Sequence, residues 1–341
     1  MASALLLALP GLLLTSGCGG IDSFWAKYAD TFVLDPSEPL PLPGQKIQSF
    51  LYKGRPVTRK LFFLHATPRE KALRELRALR ELRGVPGTLR FYTCTEDVHM
   101  LSVFVERMLG DLFTLAETFQ SMSWPRRLRL LEGVTRAFAK MHALELVHGD
   151  VKPHNVMLTL NAQWLKVIDF DMTVRAGRAW KGGTVFYIAP ELASFREGRA
   201  RTDQDVWSWV LTLFELFVPR LRNVLFFANG ARRVMYLSAR LLSVALKQLE
   251  LADKECGLPL YETMAPLLVL EPADRPSMDA VANSLGRLGL AAQKKAAEDA
   301  KVLRKSGLTV EYTGLPKGVH PDLPRHVLKT GSKTGLARTL P

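Results

Sequence analysis

Four polar side chains fall in two short stretches near the middle of the chain. The stretch "HGDVKPHN" contains Asp150, Lys152 and Asn155, and "KVIDFD" follows shortly afterwards with Asp169. A carboxylate such as Asp150 can accept a hydroxyl proton, and an ammonium such as Lys152 can neutralise a phosphoryl group. The oxygens of Asn155 and Asp169 are ligands that Mg²⁺ accepts. Because phosphoryl transfer needs a base, a cation and a bridging metal, these two stretches predict that chemistry.

Strands and one helix are predicted ahead of these stretches. The segment "SFLYKGRPVTRKLFFL" is rich in aromatic and β-branched residues and predicts two strands joined by a turn at Lys53-Gly54. The segment "TPREKALRELRALRELRG" predicts a helix that Thr67 caps, with Pro68 in its first turn and Gly84 at its end. The apolar stripe of this helix consists of Leu73, Leu76, Leu79 and Leu82.

The later part of the chain changes from strands to helices. "LSVFVERM" predicts a strand, the segment from Trp124 to His142 a helix, and the apolar stretches around Val156 and Val167 a β-hairpin. Beyond Asp205 the pattern is mostly helical. Strands followed by helices predict a small β-rich lobe and a larger α-rich lobe.

Five motifs together resemble those of the eukaryotic-type protein kinase family. "HGDVKPHN" resembles the catalytic loop, "DFD" the metal-binding DFG, and "GGTVFYIAPEL" the end of the activation segment. "DVWSWV" resembles the start of the central helix of the large lobe, and "PADRPSM" the late arginine motif. The motifs occur in the family's order between roughly Gly44 and Leu288. The resemblance is to a Ser/Thr protein kinase, and it implies an α+β, bilobal protein kinase-like fold with a small β-rich N-lobe and a larger α-helical C-lobe.

The resemblance implies roles for the central residues, with ATP and Mg²⁺ as cofactors. Asp150 would be the catalytic base, Lys152 the phosphate-side cation, and Asn155 and Asp169 the Mg²⁺ ligands. Asp205 would brace the catalytic loop. The resemblance also implies a structural ion pair between Glu191 and Arg275.

In the small lobe, "VTRK" resembles the strand that bears the phosphate-binding lysine, here Lys60. Alternation along a strand puts Arg59 on the opposite face, so Arg59 is not expected to bind the nucleotide. The glutamate that pairs with this lysine is best matched by Glu75, and Glu70 and Glu81 are the alternatives.

The resemblance also implies a nucleotide-binding loop and a hinge. Gly44 and Lys46 would belong to the glycine-rich loop. Val105 would be the gatekeeper, and Glu106 and Met108 would give backbone contacts to adenine.

The chain departs from the family pattern at three places. Lys46 and Ser49 stand where glycines are usual, Asp171 replaces the DFG glycine, and Gly149 replaces the arginine that usually precedes the catalytic Asp. The altered glycine-rich loop and DFG leave a pseudokinase or scaffold that binds nucleotide weakly as one alternative to an active protein kinase. "HGD" also resembles the small-molecule kinases of the aminoglycoside or choline kinase type, which are the other alternative.

The chain is expected to have four parts. Residues 1–23 form a hydrophobic N-terminal segment, 24–43 a proline-rich linker, 44–290 the kinase domain (N-lobe 44–105, C-lobe 109–290), and 291–341 a disordered basic tail. The three cysteines are far apart and show no metal-ligand spacing, so a disulfide framework is not expected, and this favours a reducing compartment. The run "ALLLALPGLLLTSGC" suggests either a signal or membrane anchor ending at Cys18, or an apolar start that packs on the domain.

The net charge of +13 indicates anionic partners, but much of the excess lies in the tail. From Lys294 onward ten Lys or Arg stand against four Asp or Glu, and Tyr312 is the single aromatic residue. We therefore expect a protein substrate and no nucleic-acid binding, because one aromatic residue does not make a stacking platform. The expected location is the cytoplasm or the cytoplasmic face of a membrane, with a tether through the N-terminal segment. No pattern specifies an oligomeric state.

Overall fold

The computed structural model describes residues 32–35, 46–65, 69–96, 98–192, 198–218, 242–305, 309–313 and 325–329. The chain divides into two compact units. The first contains the residues up to Gly84 together with Leu89–Met108, and the second contains Val85–Thr88 and the residues from Leu109 onward. The first unit is rich in strands and the second in helices, as the sequence predicts.

The first unit contains a five-stranded antiparallel sheet. Its strands are β1 (Phe32–Leu34), β2 (Ile47–Tyr52), β3 (Arg55–Phe63), β4 (Phe91–Glu96) and β5 (Met100–Glu106), in the order β1-β2-β3-β5-β4. The turn between β2 and β3 has left-handed backbone at Lys53 (φ 50°) and Gly54 (φ 73°). Consecutive positive φ values match the twist of a two-residue hairpin, so the predicted strand pair and its turn are confirmed.

Two sequence expectations for this unit are wrong. Strand β1 lies inside the segment assigned to a proline-rich linker, and it pairs with β2 through Phe32 and Tyr52. Ser49, expected in the glycine-rich loop, lies inside β2 opposite Thr58. The loop between β1 and β2 therefore precedes Ile47. Lys46 is the last residue of that loop, and Gly44 lies outside the described residues.

Helix α1 (Arg69–Glu81) completes the first unit. Its buried face includes Leu76 and Leu79, and Leu82 is buried just beyond its end. Gly84 follows with φ 85°, a conformation that glycine adopts without strain. Thr67 and Pro68, the predicted cap and first-turn residues, lie outside the described residues.

The second unit combines short strands with six helices in its described part. β6 (Met108–Asp111), β8 (Val156–Thr159) and β9 (Leu165–Val167) form a three-stranded sheet, and β7 (Leu146–Val147) pairs with β10 (Val174–Arg175). The predicted hairpin is confirmed by the pairing of Val156 with Val167. The helices are α2 (Ala116–Ser121), α3 (Trp124–Ala143), α4 (Thr202–Phe217), α5 (Leu242–Cys256), α6 (Leu260–Met264) and α7 (Met278–Lys305).

Helix α4 runs through the core of the second unit and is buried almost along its whole length. Trp209 is fully buried, and its indole N–H donates to Thr135 Oγ1 of α3 at 2.8 Å. Its ring also lies 5.1 Å from that of Phe138. Because α3 leads into the catalytic loop, this packing gives that loop a rigid base.

The sequence predicts that disorder begins at residue 291, and the structure places that boundary too early. Helix α7 continues past Leu290 to Lys305, and β11 (Thr309–Thr313) pairs with β12 (Arg325–Lys329). The sequence "AAQKKAAEDAKVLRK" consists mostly of strong helix formers, and extending an existing helix needs no new nucleus. Disorder is therefore the wrong prediction for residues 291–305.

Within the described ranges, no helix is both long enough and apolar enough to span a bilayer. Residues 1–23, where the sequence suggests a signal or anchor, lie outside those ranges.

Candidate active site

The loop after β7 carries Asp150 and is organised by His148, which is fully buried. His148 Nε2 lies 2.9 Å from the carbonyl oxygen of Ile168, so Nε2 carries the proton. Nδ1 then accepts the backbone N–H of Asp150 at 3.2 Å. His148 is therefore a packing and hydrogen-bonding residue, and it fixes the backbone at the proposed base.

Asp205, in the first turn of α4, binds the backbone of the same loop. Its carboxylate accepts the backbone N–H groups of His148 at 2.7 Å and Gly149 at 2.9 Å. His142 Nε2 lies 3.1 Å from the same carboxylate. Asp205 is 1% exposed, so these hydrogen bonds replace the water it loses. The bracing contact expected for Asp205 is present.

Asp150, Lys152 and Thr184 form a closed triangle of hydrogen bonds. Lys152 Nζ donates to Asp150 Oδ2 at 2.6 Å and to Thr184 Oγ1 at 2.7 Å. Thr184 donates to Asp150 Oδ1 through its backbone N–H at 2.8 Å and its hydroxyl at 2.7 Å. Burial by itself raises the pKa of the Asp150 carboxyl. The hydrogen bonds from Lys152 and Thr184 and the Lys152 charge outweigh burial, and they lower that pKa below its ordinary 3.8. Asp150 is therefore an ionised acceptor at neutral pH.

Asn155 and Asp169 are brought to this loop by main-chain contacts. Asn155 Nδ2 donates to the Asp150 carbonyl at 2.8 Å, and its own backbone carbonyl accepts the N–H of Ile168 at 3.0 Å. Asp169 follows directly, in a left-handed backbone conformation with φ 62°. Phe170, the next residue, is fully buried, and its ring centroid lies 5.6 Å from that of His148, so it fixes the backbone beside Asp169.

The donor set of Asn155 and Asp169 fits Mg²⁺. With its Nδ2 donating, Asn155 keeps an amide oxygen that accepts no hydrogen bond within the described part of the chain. Among the same residues no group of three or more His, Cys, Asp or Glu could hold a metal. Mg²⁺ usually takes only one or two protein oxygens and completes its shell with phosphate and water, so two ligands are sufficient.

In the first unit, the structure brings Lys60 together with Glu75. Lys60 Nζ lies 2.7 Å from Glu75 Oε2 and 2.9 Å from Oε1. Glu75 is 2% exposed and Lys60 is partly exposed. Arg59 points to the opposite face, where it is buried and donates to Ser102 Oγ at 2.9 Å. The alternation predicted from the sequence is confirmed.

The two alternative partners for Lys60 are not used in this way. Glu70 is exposed and pairs with Arg74 on its own helix at 3.2 Å. Glu81 lies at the exposed end of α1. The helical period selects Glu75 because it shares the buried face with Leu76 and Leu79.

The hinge residues lie at the end of β5. Val105 is buried opposite Thr58 of β3. The side chain of Glu106 accepts the backbone N–H of Arg90 at 2.6 Å, and Met108 begins β6. Lys46, at the start of the sheet, is exposed.

The end of the activation segment is fixed by the predicted pair of Glu191 and Arg275. Arg275 makes two parallel hydrogen bonds to the Glu191 carboxylate, both at 2.7 Å. The same guanidinium also donates to the carbonyls of Val269 and Leu270. The Arg275 side chain is 1% exposed, and this bidentate geometry suits a planar guanidinium.

A main-chain clamp on the activation segment was not foreseen from the sequence. Residues 198–200 bind the segment through three backbone hydrogen bonds of 2.8 Å, which join Gly177 N to Ala200 O, Ala200 N to Arg178 O, and Trp180 N to Gly198 O. Arg199 adds a bond to the carbonyl of Gly177 at 2.7 Å. Backbone pairing of this kind depends little on side-chain type, so no sequence motif predicts it.

Two glycines pack the clamped segment onto the catalytic loop. Gly149 has φ 81°, and a Cβ there would lie 3.1 Å from the carbonyl oxygen of Met172. A Cβ on Gly183 would lie 2.7 Å from the carbonyl oxygen of Gly149. The arginine usual at position 149 would therefore be strained in this backbone.

Comparison with known proteins agrees with this geometry. Residues 53–285 match the family model described as "Protein kinase domain". The chain is 27% identical over 217 residues to "Calcium-dependent protein kinase 27" of Arabidopsis thaliana, an alignment that covers 60% of this chain and 42% of the relative. It is 29% identical over 181 residues to "Serine/threonine-protein kinase SBK1" of Mus musculus, covering 50% and 43%.

A third relative is "Serine/threonine-protein kinase TAO3" of Pongo abelii, which is 29% identical over 184 residues, covering 53% of this chain and 20% of the relative. The chain thus spans less than half the length of these three curated relatives.

Proposed function

Because this chain belongs to the protein kinase family, we propose that it transfers the terminal phosphoryl group of ATP to Ser and Thr hydroxyls of protein substrates. The observation that carries the proposal is the triangle of Asp150, Lys152 and Thr184, in which an ionised carboxylate and an ammonium are held 2.6 Å apart. These are the base and the cation that phosphoryl transfer requires.

The residues of the triangle divide the work between them. The Asp150 carboxylate orients the acceptor hydroxyl and takes its proton. The Lys152 ammonium, fixed between Asp150 and Thr184, offsets negative charge on the transferring group. Both side chains are held before substrate arrives, so little reorganisation is needed during the reaction.

Selectivity for Ser and Thr over Tyr is proposed from the same contacts. In the kinases that this chain resembles, a lysine and a threonine that bind the catalytic Asp accompany Ser/Thr specificity. Here Lys152 and Thr184 make both contacts. Phosphoamino-acid analysis should yield phosphoserine and phosphothreonine, and a product dominated by phosphotyrosine would overturn this part of the proposal.

ATP and Mg²⁺ are the proposed cofactors. Lys60, held by Glu75, would bind the phosphates. Asn155 and Asp169 would hold Mg²⁺, and Mg²⁺ supplies positive charge to the phosphates when it is bound. Gly44 and Lys46 would border the phosphates.

The adenine is proposed to bind at the end of β5. The backbone groups of Glu106 and Met108 would contact the base, and Val105 would limit the depth of its pocket.

The test is transfer of radiolabelled phosphate from ATP to a generic protein acceptor by the full chain. Asp169→Ala should reduce incorporation by more than about 10²-fold, because it removes charge stabilisation at the phosphates. Asp274→Ala, which removes an exposed carboxylate elsewhere, is the matched control and should keep wild-type activity. Equal incorporation by wild type and Asp169→Ala would exclude the proposal. ATP binding without transfer would favour a scaffold, and transfer only to hydroxyl-bearing metabolites a small-molecule kinase.

We also propose that the domain faces the cytoplasm, where ATP is present, with a tether through residues 1–23. The proposal rests on the need for ATP and on the apolar run ending at Cys18. Fractionation of cells that express the full chain tests it. Protein that is cleaved and acylated at Cys18 and found outside the cell membrane would contradict it.

A further inference from the structure

The activation segment carries a cationic surface that contains no acidic side chain. We call Arg175, Arg178 and Lys181 the basic platform. All three are exposed. Between Asp171 and Glu191 the sequence contains no Asp or Glu. The charged side chains between these two acids are therefore all positive.

Lys181, at one end of the platform, lies close to Asp150. The Trp180 side chain would lie 3.6 Å from a Cβ on Gly183, and Gly183 contacts the backbone of the catalytic loop. Thr184, the next residue, donates two hydrogen bonds to Asp150. Because Lys181 is three residues before Thr184, their Cα atoms are at most about 11 Å apart. A peptide whose hydroxyl reaches Asp150 has its neighbouring residues within reach of Lys181.

Two members of the platform have no partner among the described residues. The side chains of Arg178 and Lys181 make no ion pair or hydrogen bond with any described residue. Two acids that follow the platform in the sequence are each paired with an arginine. Glu191 is bound by Arg275, and Asp203 is bound by Arg201 at 2.6 Å. The positive charge of Arg178 and Lys181 is thus available to a ligand.

The catalytic loop adds no competing negative charge beyond the base itself. Lys152 is cationic, and His154 is exposed and stacks on Phe113 with ring centroids 3.9 Å apart. Asp111 lies two residues before that phenylalanine, and its carboxylate accepts hydrogen bonds from the backbone N–H and the hydroxyl of Thr114, at 2.8 and 2.9 Å.

We propose that the basic platform selects acceptor peptides whose Ser or Thr is flanked by acidic groups, either Asp and Glu carboxylates or phosphate. This inference rests on the proposed function and names its substrate class. Opposite charges attract at the platform, whereas an arginine or lysine beside the acceptor is repelled. Because Arg178 and Lys181 are exposed, the preference weakens as ionic strength rises.

The test compares peptides that share one Ser acceptor and differ only in their flanks. The flanks are Glu-rich, Arg-rich, Ala-rich or contain phosphoserine, placed before or after the acceptor. The full chain should show kcat/KM at least about tenfold higher for the Glu-rich or phosphoserine peptide than for the Arg-rich one, since several pairs at up to about fivefold each act together. The advantage should shrink between 50 and 300 mM salt, because the Debye length falls from about 14 Å to about 6 Å over this range. A larger gain with phosphoserine identifies phosphate as the preferred group, and equal gains identify carboxylates.

Charge reversal locates the effect. Lys181→Glu and Arg178→Glu should each reduce the preference about fivefold or more, whereas Lys181→Arg should keep it. Lys301→Glu makes the same charge change at an exposed position of α7 and is the control.

The outcomes separate this inference from the proposed function. If no peptide is phosphorylated under any condition, the proposed function fails. If peptides are phosphorylated but the Ala-rich or Arg-rich ones are used equally well or better, the proposed function stands and the basic platform does not select acids. If Lys181→Glu and Lys301→Glu reduce the preference equally, net charge rather than the platform is responsible, and the inference is overturned.

Discussion

Gly149→Ala should lower the free energy of unfolding by about 2–3 kcal/mol, although it adds a single methyl group. The backbone at Gly149 has φ 81°, which costs a residue with a Cβ roughly 1–2 kcal/mol. The new methyl would also lie 3.1 Å from the Met172 carbonyl oxygen, closer than ordinary contact. Relieving that overlap adds about 1 kcal/mol, the lower end for overpacking.

Two other glycines of the second unit separate these contributions. Gly177 has nearly the same φ, 80°, but a Cβ there meets nothing within 4 Å. Gly177→Ala should therefore cost only the conformational part, roughly 1–2 kcal/mol. Gly133 lies inside α3, also with nothing within 4 Å. Gly133→Ala should stabilise the chain by about 0.5–1 kcal/mol, because alanine favours the helix.

Urea unfolding of the full chain measures all three changes. Tryptophan fluorescence and far-UV circular dichroism should both be followed, because coincident transitions are needed before free energies are compared. The expected order of stability is Gly133→Ala, wild type, Gly177→Ala and then Gly149→Ala. If Gly149→Ala is as stable as Gly177→Ala, the close contact with Met172 does not matter. If it is as stable as wild type, the left-handed backbone at position 149 is not required.

Three further predictions concern charge and burial. Asp150 has a lowered pKa, so its contribution to stability is complete above pH of about 4 and is lost as pH falls through that lowered value. Lys152→Met leaves burial in place and removes the main opposing causes, so the acid limb of kcat/KM should move to higher pH, and an unmoved limb would contradict this assignment. Arg275→Met should lower the free energy of unfolding in urea by about 3 kcal/mol, and Arg69→Met by about 0.5 kcal/mol or less. Both arginines form an ion pair at 2.7 Å, but only Arg275 is buried, so equal losses would contradict the burial argument. Thr173→Ala, after phosphatase treatment of both proteins, should change activity less than tenfold, because this side chain is 5% exposed and its hydroxyl faces the catalytic loop; a larger loss would show that its phosphorylation matters.

The family resemblance, supported by local periodicity, predicted Lys60 and Glu75. The period of two along β3 separates Lys60 from Arg59, and the helical period of α1 puts Glu75 on the buried face. The register that brings these two elements together is not contained in either period. The pairing of Lys60 with Glu75 was instead inferred from the family resemblance, which rests on the order and spacing of the motifs along the chain.

The missed features depend on contacts between distant segments. Strand β1 has three residues and is followed at once by a proline-rich stretch, so it forms only because β2 offers a free edge. Residues 198–200 bind the activation segment through backbone atoms, which every residue type except proline provides in full. The contact between Gly149 and Gly183 shows in the sequence only as two glycines, one of them where an arginine was expected.

These missed contacts explain how the activation segment can be ordered without a phosphate. Many protein kinases order this segment by phosphorylation, and the phosphate pairs with the arginine beside the catalytic Asp. Here Gly149 offers no cation, and an arginine would be strained in its left-handed backbone conformation. The segment is held instead by the 198–200 clamp, by β10 against β7, and by the pair of Glu191 and Arg275.

None of these contacts changes its charge when a hydroxyl is phosphorylated. Between Phe170 and Thr184 the only hydroxyl is that of Thr173, and the fold buries it. For the proposed kinase this means that the catalytic arrangement around Asp150 is present in the unmodified chain. Control of its activity then has to act on where the protein is, what it binds, or which peptide the basic platform admits.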